Sequence, residues 1–286
     1  MALKNFFGFK KLNYMITRSI VFSSLESNIK KDLVLIDVND KSGYAVLSLN
    51  KPPVNSLNKE LFLALSDALI LMETNNTRGV ILSSTSPNTF CSGLDINQLY
   101  NPDPNELREL ASAIYECWLK LYGSSFPTAA ALNGHTIAGG CFLAISADYR
   151  VMCSNFKFGI NEIKVGVEVP KIIIKTMERL MPRRELELAL TCGKLYSTEE
   201  ALKVGLIDEI ANDKNESIQK SENFLNLFKN VPFHARSVTK QRMRKSELDF
   251  VRKNLEHNVR YFVKSVMNNE AQEAIKLYLH ALKNKT

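Results

Sequence analysis

The sequence predicts an α/β fold built as a spiral of ββα repeats, followed by a helical region at the C-terminus. The order strand, strand, helix occurs about three times before residue 150. This order favours a repeated ββα unit over a doubly wound sheet, in which single strands alternate with helices. The last 40 residues are charged and show helical periodicity. The chain of 286 residues, 45% of them hydrophobic, is long enough for a large core.

The first repeats can be followed element by element. Residues 33–38 and 44–49 are β-rich and are separated by NDKSG, which predicts a hairpin. Asn58 is placed to cap a helix whose apolar residues recur at helical spacing as far as Met72. GVILSS (79–84) is typical of a buried strand. The segment that follows, 84–96, is rich in Ser, Asn, Pro and Gly and predicts a loop.

The rest of the chain is predicted to be mainly helical. Its strongest helical signal has apolar residues along one face from Leu107 to Leu121. FPTAAALNG predicts a strand that enters a turn. A strand is predicted at 148–152, and helices at 105–122, 140–147, 171–181, 184–192 and 198–204, and between 216 and 229. We divide the chain into a leader (1–28), a spiral core (29–225) and a C-terminal helical region (226–286).

The leader is basic. Net charge is +7, and the first 25 residues carry Lys4, Lys10, Lys11 and Arg18 but no acid. The segment is also hydroxylated and amphipathic, and it lacks the apolar core of a secretory signal. It predicts a mitochondrial transit peptide and a location in the mitochondrial matrix. A basic leader without a targeting role is the alternative.

Composition and missing motifs exclude several classes of function. No apolar run approaches the roughly 20 residues that a membrane span needs. The five cysteines form no CxxC pair, and no His lies at metal-ligand spacing, so we expect neither disulfides nor a metal site. The phosphate-binding patterns GxxxxGK[ST] and GxGxxG and the hydrolase pattern GxSxG are absent.

Two glycine loops follow predicted strands. CSGLD (91–95) comes after GVILSS, and AGG (138–140) comes after AAAL and opens an apolar helix. Each loop can present a free backbone N–H, and a helix N-terminus strengthens such a donor. Two donors that converge on one point form an oxyanion hole, which stabilises charge on a carbonyl oxygen. Two ordinary turns remain the alternative, because glycine also serves positions with positive φ.

One acid stands out in the middle of the chain. Glu162 has apolar neighbours, namely Phe158, Ile160, Ile163 and Val165. A partly dry site raises the pKa of a carboxyl group, and such a group can remove a carbon-bound proton near neutral pH. The alternative is a structural Glu162 that caps a helix or pairs with Lys164.

These segments together resemble the crotonase (enoyl-CoA hydratase/isomerase) superfamily. The similar stretches are PPVNSLNKEL, TFCSGLDI, NGHTIAGGCFLAISADYR, FGINEIKVGV and LTCGKLYSTEEALKVGLIDEI. The resemblance covers about residues 33–284 and is strongest to the branch of mitochondrial Δ3,Δ2-enoyl-CoA isomerases, with the markers PPVNSL, RGVILSS, SGLDI, AGGC, DYR and above all GINE. It implies a crotonase fold with a C-terminal helical trimerisation region.

The resemblance also implies the roles of individual residues. It places the oxyanion-hole N–H groups on Leu94 and Gly139, the acid–base carboxylate on Glu162 and a substrate contact on Asn161. The loop along the acyl-CoA comprises Ser92, Gly93, Leu94, Asp95 and Ile96. Phe142 stands where the hydratases have a second catalytic glutamate, which favours isomerisation over hydration.

The implied activity is isomerisation of 3-enoyl-CoA to trans-2-enoyl-CoA in fatty acid β-oxidation. CoA enters as part of the substrate, no metal or other cofactor is expected, and the superfamily implies a homotrimer or a dimer of trimers. Three alternatives stay open: a hydratase that uses only Glu162, a thioesterase of the same fold, and a non-catalytic RNA-binding homologue. The basic run 239–245 lacks interleaved aromatic residues, so nucleic acid is not expected.

Other residues receive structural interpretations. We expect Asp95 to hydrogen-bond its own loop and His135 to lie in a turn. The basic run 239–245 is expected to be a solvated helix face, although cations of C-terminal helices in this superfamily often lie near the CoA phosphates. Tyr261, Phe262 and Tyr278 are expected to be core or oligomer contacts.

Overall fold

The chain forms two sheets whose strands alternate along the sequence. The computed structural model describes residues 33–284. Its strands are β1 (Val34–Asn39), β2 (Tyr44–Leu49), β3 (Gly79–Ser84), β4 (Thr89–Cys91), β5 (Thr128–Leu132), β6 (His135–Ile137), β7 (Tyr149–Cys153), β8 (Lys157–Gly159), β9 (Tyr196–Ser197) and β10 (Glu209–Ala211). The larger sheet has the order β1-β2-β3-β5-β7-β10, and the smaller sheet has the order β4-β6-β8-β9.

The pairing of the strands confirms the ββα spiral. β1 and β2 form the predicted antiparallel hairpin, and β2, β3, β5, β7 and β10 pair in parallel. In the smaller sheet β4, β6 and β8 are parallel, while β9 is antiparallel to β8. Each of the pairs β3–β4, β5–β6 and β7–β8 sends its first strand to the larger sheet and its second to the smaller one. Helical segments then return the chain to the next turn.

Helices make up much of the rest of the described chain. They are α1 (Lys59–Thr74), α2 (Pro104–Tyr122), α3 (Gly139–Ser146), α4 (Lys171–Met177), α5 (Arg183–Cys192), α6 (Thr198–Val204), α7 (Lys214–Asn226), α8 (Phe233–Met243), α9 (Lys245–Lys253), α10 (Leu255–Met267) and α11 (Asn269–Lys283). The Asn58 side chain caps α1 by accepting from Leu61 N at 3.0 Å, as predicted. Asp103 caps α2, whose first residue is Pro104, a residue suited to that position.

Three local predictions are wrong. The predicted loop 84–96 contains the short strand β4, and His135 begins β6 instead of lying in a turn. Strands of three residues are too short to show the alternation that marks a strand in sequence. The helix predicted at 171–181 ends at Met177. Pro182 follows that segment and disfavours helical geometry at the residue before it.

The C-terminal helices pack back onto the spiral. Buried residues of α9, α10 and α11 belong to the same hydrophobic cluster as residues of α1, α2 and α3, among them Leu248, Phe262 and Ile275. The proposed boundary at 225/226 therefore separates regions that share a core, and it stays a prediction. In the described part of the chain, no helix combines the length and apolar character that a membrane span requires. The predicted transit peptide (1–28) lies outside the described residues.

The basic run 239–245 is only partly the solvated face that we expected. Lys240 and Arg244 are buried and bind the Asp148 carboxylate at 2.9 and 2.6 Å. Arg244 also donates to the Tyr122 carbonyl at 2.6 Å. Since α8 docks on the start of β7 through these contacts, the two cations are used inside the protein, and Arg242 and Lys245 remain at the surface.

Candidate active site

Glu162 begins a short 3₁₀ helix, Glu162–Val165, that follows β8. The residue as a whole is partly covered, but its Oε2 atom is buried and has no hydrogen-bond partner among the described residues. Burial raises the pKa of Glu162 to about 7, although backbone N–H groups of Glu162 and Asn161 act in the opposite direction. No ion pair joins Glu162 to Lys164 within residues 33–284. The carboxyl group is therefore poised to gain or lose a proton near neutral pH.

The Leu94 N–H is directed away from its neighbouring strand. Leu94 and Leu57 form an isolated parallel bridge. In this bridge the Gly93 carbonyl accepts from Leu57 N at 2.7 Å, and the Leu57 carbonyl accepts from Asp95 N at 2.8 Å. Both residues flanking Leu94 thus turn their polar groups toward Leu57. The Leu94 N–H belongs to the same trans peptide group as the Gly93 carbonyl, and the C=O and N–H of such a group point in opposite directions, so the Leu94 N–H points away from Leu57.

The Gly139 N–H opens helix α3. As the first residue of the helix, Gly139 has a donor with no acceptor inside the helix. Ala138 precedes it with φ 52° and ψ −122°, and it provides no side-chain cap. A positive φ is unusual for alanine and is found mainly where surrounding contacts hold the backbone. The helix N-terminus also places positive partial charge at this N–H.

The two loops lie backbone to backbone. A Cβ added at Gly93 would stand 2.6 Å from the Cβ of Ala138 and 3.2 Å from Gly139 N. A Cβ added at Gly139 would stand 3.5 Å from Leu94 N. Only glycine allows so close an approach of two backbones. The structure therefore brings the two predicted N–H donors to one place, as an oxyanion hole requires.

An apolar pocket extends inward from these donors. It is lined by Phe62, Leu94, Ile114, Tyr115, Gly139, Phe142, Glu162, Val167, Pro170, Ile172, Ile173 and Phe262. In the described part of the chain, Glu162 is the only carboxylate of this lining. Phe142 is almost completely buried and forms part of the pocket wall. It occupies the position at which the family resemblance implies a second glutamate in hydratases. The pocket suits a hydrocarbon chain that ends beside one carboxyl group.

A second, more polar cleft opens outward from the same point. Its lining includes Ser92, Leu94, Asp95, Ile96, Asn97, Asn161 and Glu162, together with Tyr278 and Leu282 from α11. Leu94 and Glu162 are shared with the inner pocket. A ligand with a polar end and an apolar end could therefore lie across both cavities, with its middle between Glu162 and the two N–H groups.

Most predicted site residues meet at these two cavities. Gly93 lines neither one and instead allows the loops to approach each other. Asp95 behaves as predicted: its side chain accepts from Asn97 N at 3.2 Å. It also pairs with Lys51 at 3.3 Å. His135 is absent from both linings, and its Nδ1 accepts from Lys157 N at 3.1 Å.

The two linings also contain residues that were not predicted from the sequence, among them Phe62, Tyr115, Phe262, Tyr278 and Leu282. All five lie on helices, where an apolar residue that faces a pocket shows the same periodicity as one that faces the core. For two of them, Phe262 and Tyr278, the sequence predicts core or oligomer contacts. Within residues 33–284, no group of three or more His, Cys, Asp or Glu side chains is arranged to hold a metal ion.

Comparison with known proteins gives consistent results. A family model described as "Enoyl-CoA hydratase/isomerase" matches residues 39–285. The chain is 36% identical over 255 residues to "Enoyl-CoA delta isomerase 1, mitochondrial" of Mus musculus, and the match covers 88% of each chain. The Homo sapiens protein of the same name is 33% identical over 254 residues, which cover 87% of this chain and 83% of the relative.

Solved structures show the same similarity. The crystal structure of human mitochondrial delta3-delta2-enoyl-CoA isomerase matches with a TM-score of 0.85 and 32% identity, over 89% of this chain and 99% of that one. An enoyl-CoA hydratase from Bacillus halodurans, at 24% identity and a TM-score of 0.78 over 86% of this chain and 99% of that one, shares the fold. The family match, the curated relatives and the crotonase fold agree, and the chain therefore belongs to the enoyl-CoA hydratase/isomerase family.

Proposed function

We propose that this protein isomerises 3-enoyl-CoA to trans-2-enoyl-CoA in fatty acid β-oxidation. The acyl chain would lie in the inner apolar pocket and the CoA portion in the outer cleft. The thioester carbonyl would then accept hydrogen bonds from the N–H groups of Leu94 and Gly139. This orientation is supported by the two cavities that meet at Leu94 and Glu162.

The proposed chemistry needs a single base. The Glu162 carboxylate removes a proton from C2 of the substrate, and the electron pair of that C–H bond moves into a dienolate whose negative charge rests on the thioester oxygen. The protonated Glu162 returns the proton to C4 as the C3=C4 double bond shifts to C2=C3. Both N–H donors stabilise the oxygen charge, and loss of one such donor elsewhere costs about 2.7–4 kcal/mol of barrier.

The observation that carries the proposal is that the inner pocket combines a single carboxylate with an otherwise uncharged, mainly apolar lining. Among residues 33–284, Glu162 is the only carboxylate that lines the inner pocket, and Phe142 is a buried residue of the same lining. Hydration would need a group to hold and activate water and another to protonate carbon. Proton transfer between two carbons of the same substrate needs only one carboxylate, whose pKa of about 7 suits both steps.

The remaining parts of the proposal rest on the relatives. Those named above are described as mitochondrial. We infer that the protein acts in the mitochondrial matrix. We also infer that it forms a homotrimer or a dimer of trimers and that it needs no metal or redox cofactor.

The decisive experiment compares Glu162→Gln with wild type, using a 3-enoyl-CoA substrate and product analysis. The amide keeps the shape of the side chain but cannot accept the proton, so we expect kcat to fall by about 10²-fold to 10⁴-fold, the usual contribution of a general base. The KM should change less than kcat, because the amide preserves the shape of the side chain and removes only the group that accepts the proton. Glu116→Gln, which alters an exposed carboxylate on α2, is the matched control and should retain wild-type activity.

Full activity of Glu162→Gln would falsify the single-base mechanism. The products identify the alternatives: 3-hydroxyacyl-CoA from crotonyl-CoA would indicate a hydratase, and release of free CoA would indicate a thioesterase. Wild-type protein with no turnover and with RNA affinity that falls steeply as salt rises would indicate the RNA-binding homologue.

A further inference from the structure

The C-terminal helix α11 contacts both the segment that carries the Leu94 N–H and the segment that carries Glu162. It packs against the 3₁₀ helix Ile96–Leu99, which follows the Leu94 donor, and against the 3₁₀ helix that starts at Glu162. It also contributes Tyr278 and Leu282 to the outer cleft. A single rigid element therefore bridges the segment that carries a proposed N–H donor and the segment that carries the proposed base.

Gln272 makes the contact with the donor side. Its Oε1 accepts from Asn101 N at 2.8 Å, and its Nε2 donates to the Leu99 carbonyl at 2.8 Å. The same Nε2 donates to the Val266 carbonyl at 2.7 Å, at the end of α10. The amide thus joins α10 and α11 to the end of the segment 92–101. Asn101 has φ 44°, an unusual conformation that these bonds help to hold.

Gly166 makes the contact with the base side. It ends the Glu162 3₁₀ helix in a left-handed conformation, with φ 74°. A Cβ added there would stand 2.8 Å from the Cβ of Ala274 and 3.1 Å from the Cα of Ala271. The backbone beside Glu162 is therefore pressed directly against α11. Two residues after Gly166, the Glu168 carboxylate accepts from the Tyr261 hydroxyl of α10.

We propose that Gln272 is a positioning residue, which holds the segment 92–101 on α11 and so sets the distance between the Leu94 N–H and Glu162. This inference rests on the proposed function. Gln272 is absent from the linings of both cavities, so it acts through the backbone that it binds. Catalysis is sensitive to such placement, because a misplacement of about 1 Å can cost about 100-fold in rate.

The test is Gln272→Met in the full chain, with Gln241→Met as the matched control. Methionine keeps the length of the side chain and removes its hydrogen bonds. Gln241 is a partly buried glutamine of α8 whose Nε2 donates to the Gly123 carbonyl at 2.8 Å, away from the site. We expect both variants to lower the Tm, and only Gln272→Met to lower kcat, by about 10-fold to 100-fold. Its KM should change less than its kcat.

A second variant and a second measurement keep the test decisive if Gln272→Met folds poorly. Gln272→Glu retains an acceptor for Asn101 N but places a carboxylate oxygen against the Leu99 and Val266 carbonyl oxygens, so its kcat should also fall below that of wild type. Amide hydrogen exchange should be faster at 92–101 in Gln272→Met than in Gln241→Met. An equal kcat in the two methionine variants, or equal exchange at 92–101, overturns the proposal.

The two proposals fail in different ways. Wild-type protein without isomerase activity would overturn the proposed function, whereas the hydrogen-exchange comparison would still decide whether Gln272 orders the segment 92–101. Active wild type with unchanged kcat in Gln272→Met would overturn the positioning role alone.

Discussion

At the scale of single residues, the site depends on one carboxyl group in an unusual environment. The Oε2 atom of Glu162 is buried without a partner in the described part of the chain, and burial raises the pKa of the group to about 7. Desolvation disfavours a charged carboxylate, which makes the ionised form a stronger base than an exposed glutamate. Asp95, the other acid at the cleft, is held by Lys51 and by the N–H of Asn97.

This environment predicts the pH dependence of the reaction. Only the ionised form of Glu162 can accept a proton, so kcat/KM should fall as the pH decreases through about 7 and should reach a plateau above it. The fall below the midpoint should approach about tenfold per pH unit, as for one titrating group. Initial rates from pH 5 to 9, with enzyme stability checked at each pH, provide the measurement. A midpoint close to 4.5, the ordinary value for glutamate, would contradict the role of burial.

At the scale of elements, the proposed oxyanion hole is formed where the chain leaves two neighbouring strands of the smaller sheet. β4 leads into the loop with Leu94, and β6 leads into the first turn of α3 with Gly139. β4 and β6 pair in parallel, so their ends lie at the same edge of the sheet. Parallel pairing of short strands thus brings together two N–H groups that are 45 residues apart in the sequence.

Gly93→Ala tests this arrangement. The Cβ would meet Ala138 Cβ at 2.6 Å, and φ at this position is 98°, so the loops must separate. We expect kcat to fall by about 10²-fold to 10³-fold, as when one oxyanion-hole donor is lost. Steady-state kinetics with a 3-enoyl-CoA substrate provides the measurement.

The control for this variant is Gly43→Ala. Gly43 also has a positive φ, of 73°, but an added Cβ there would meet only the flexible side chain of Arg78. This control should lose some stability and retain kcat. Equal kcat in the two variants would show that Gly93 has no particular part in the site.

At the scale of the whole molecule, buried charges attach the C-terminal helices to the spiral. Asp148, at the start of β7, binds Lys240 and Arg244 of the α8 segment and accepts from Thr128 N at 2.9 Å. Burial alone would raise the pKa of Asp148, but the two cations and the N–H group lower it to about 2. The folded state therefore stabilises the ionised carboxylate. Because its two partners belong to the α8 segment, the same ion pairs hold α8 against the spiral.

Asp148→Asn should weaken this attachment. Removing one partner of a buried ion pair leaves uncompensated charge and typically costs about 3–5 kcal/mol. We expect the free energy of unfolding at pH 7, measured by urea titration, to fall by about that amount. Asp249→Asn, which breaks a solvent-accessible pair with Lys245, should change it little.

The pH dependence of stability checks the same group. Because the folded-state pKa of Asp148 lies below its unfolded value of 3.8, its contribution is present above pH 4 and is lost as the pH falls toward 2. Wild type should lose this stability between those values, and Asp148→Asn should not show that loss. Parallel pH curves for the two proteins would contradict the assignment.

The sequence by itself determined the fold class, most of the elements and the candidate site. Strand and helix periodicity, the cap at Asn58, the glycines of SGLD and AGG and the apolar setting of Glu162 are local features. Local chemistry sets backbone conformation and burial, so these features are visible without a structure. The family resemblance then joined Leu94, Gly139 and Glu162 into one site.

Only the tertiary structure decided which distant residues complete that site. Phe262, Tyr278 and Leu282 lie on the last two helices, and nothing local distinguishes a helical side chain that faces a cavity from one that faces the core. Likewise, Lys240 and Arg244 belong to a basic run for which the sequence predicts a solvent-exposed helix face. In the folded protein both side chains form ion pairs with Asp148, which is far away in the sequence. Contacts between segments far apart in sequence arise from packing, and packing is a property of the folded chain as a whole.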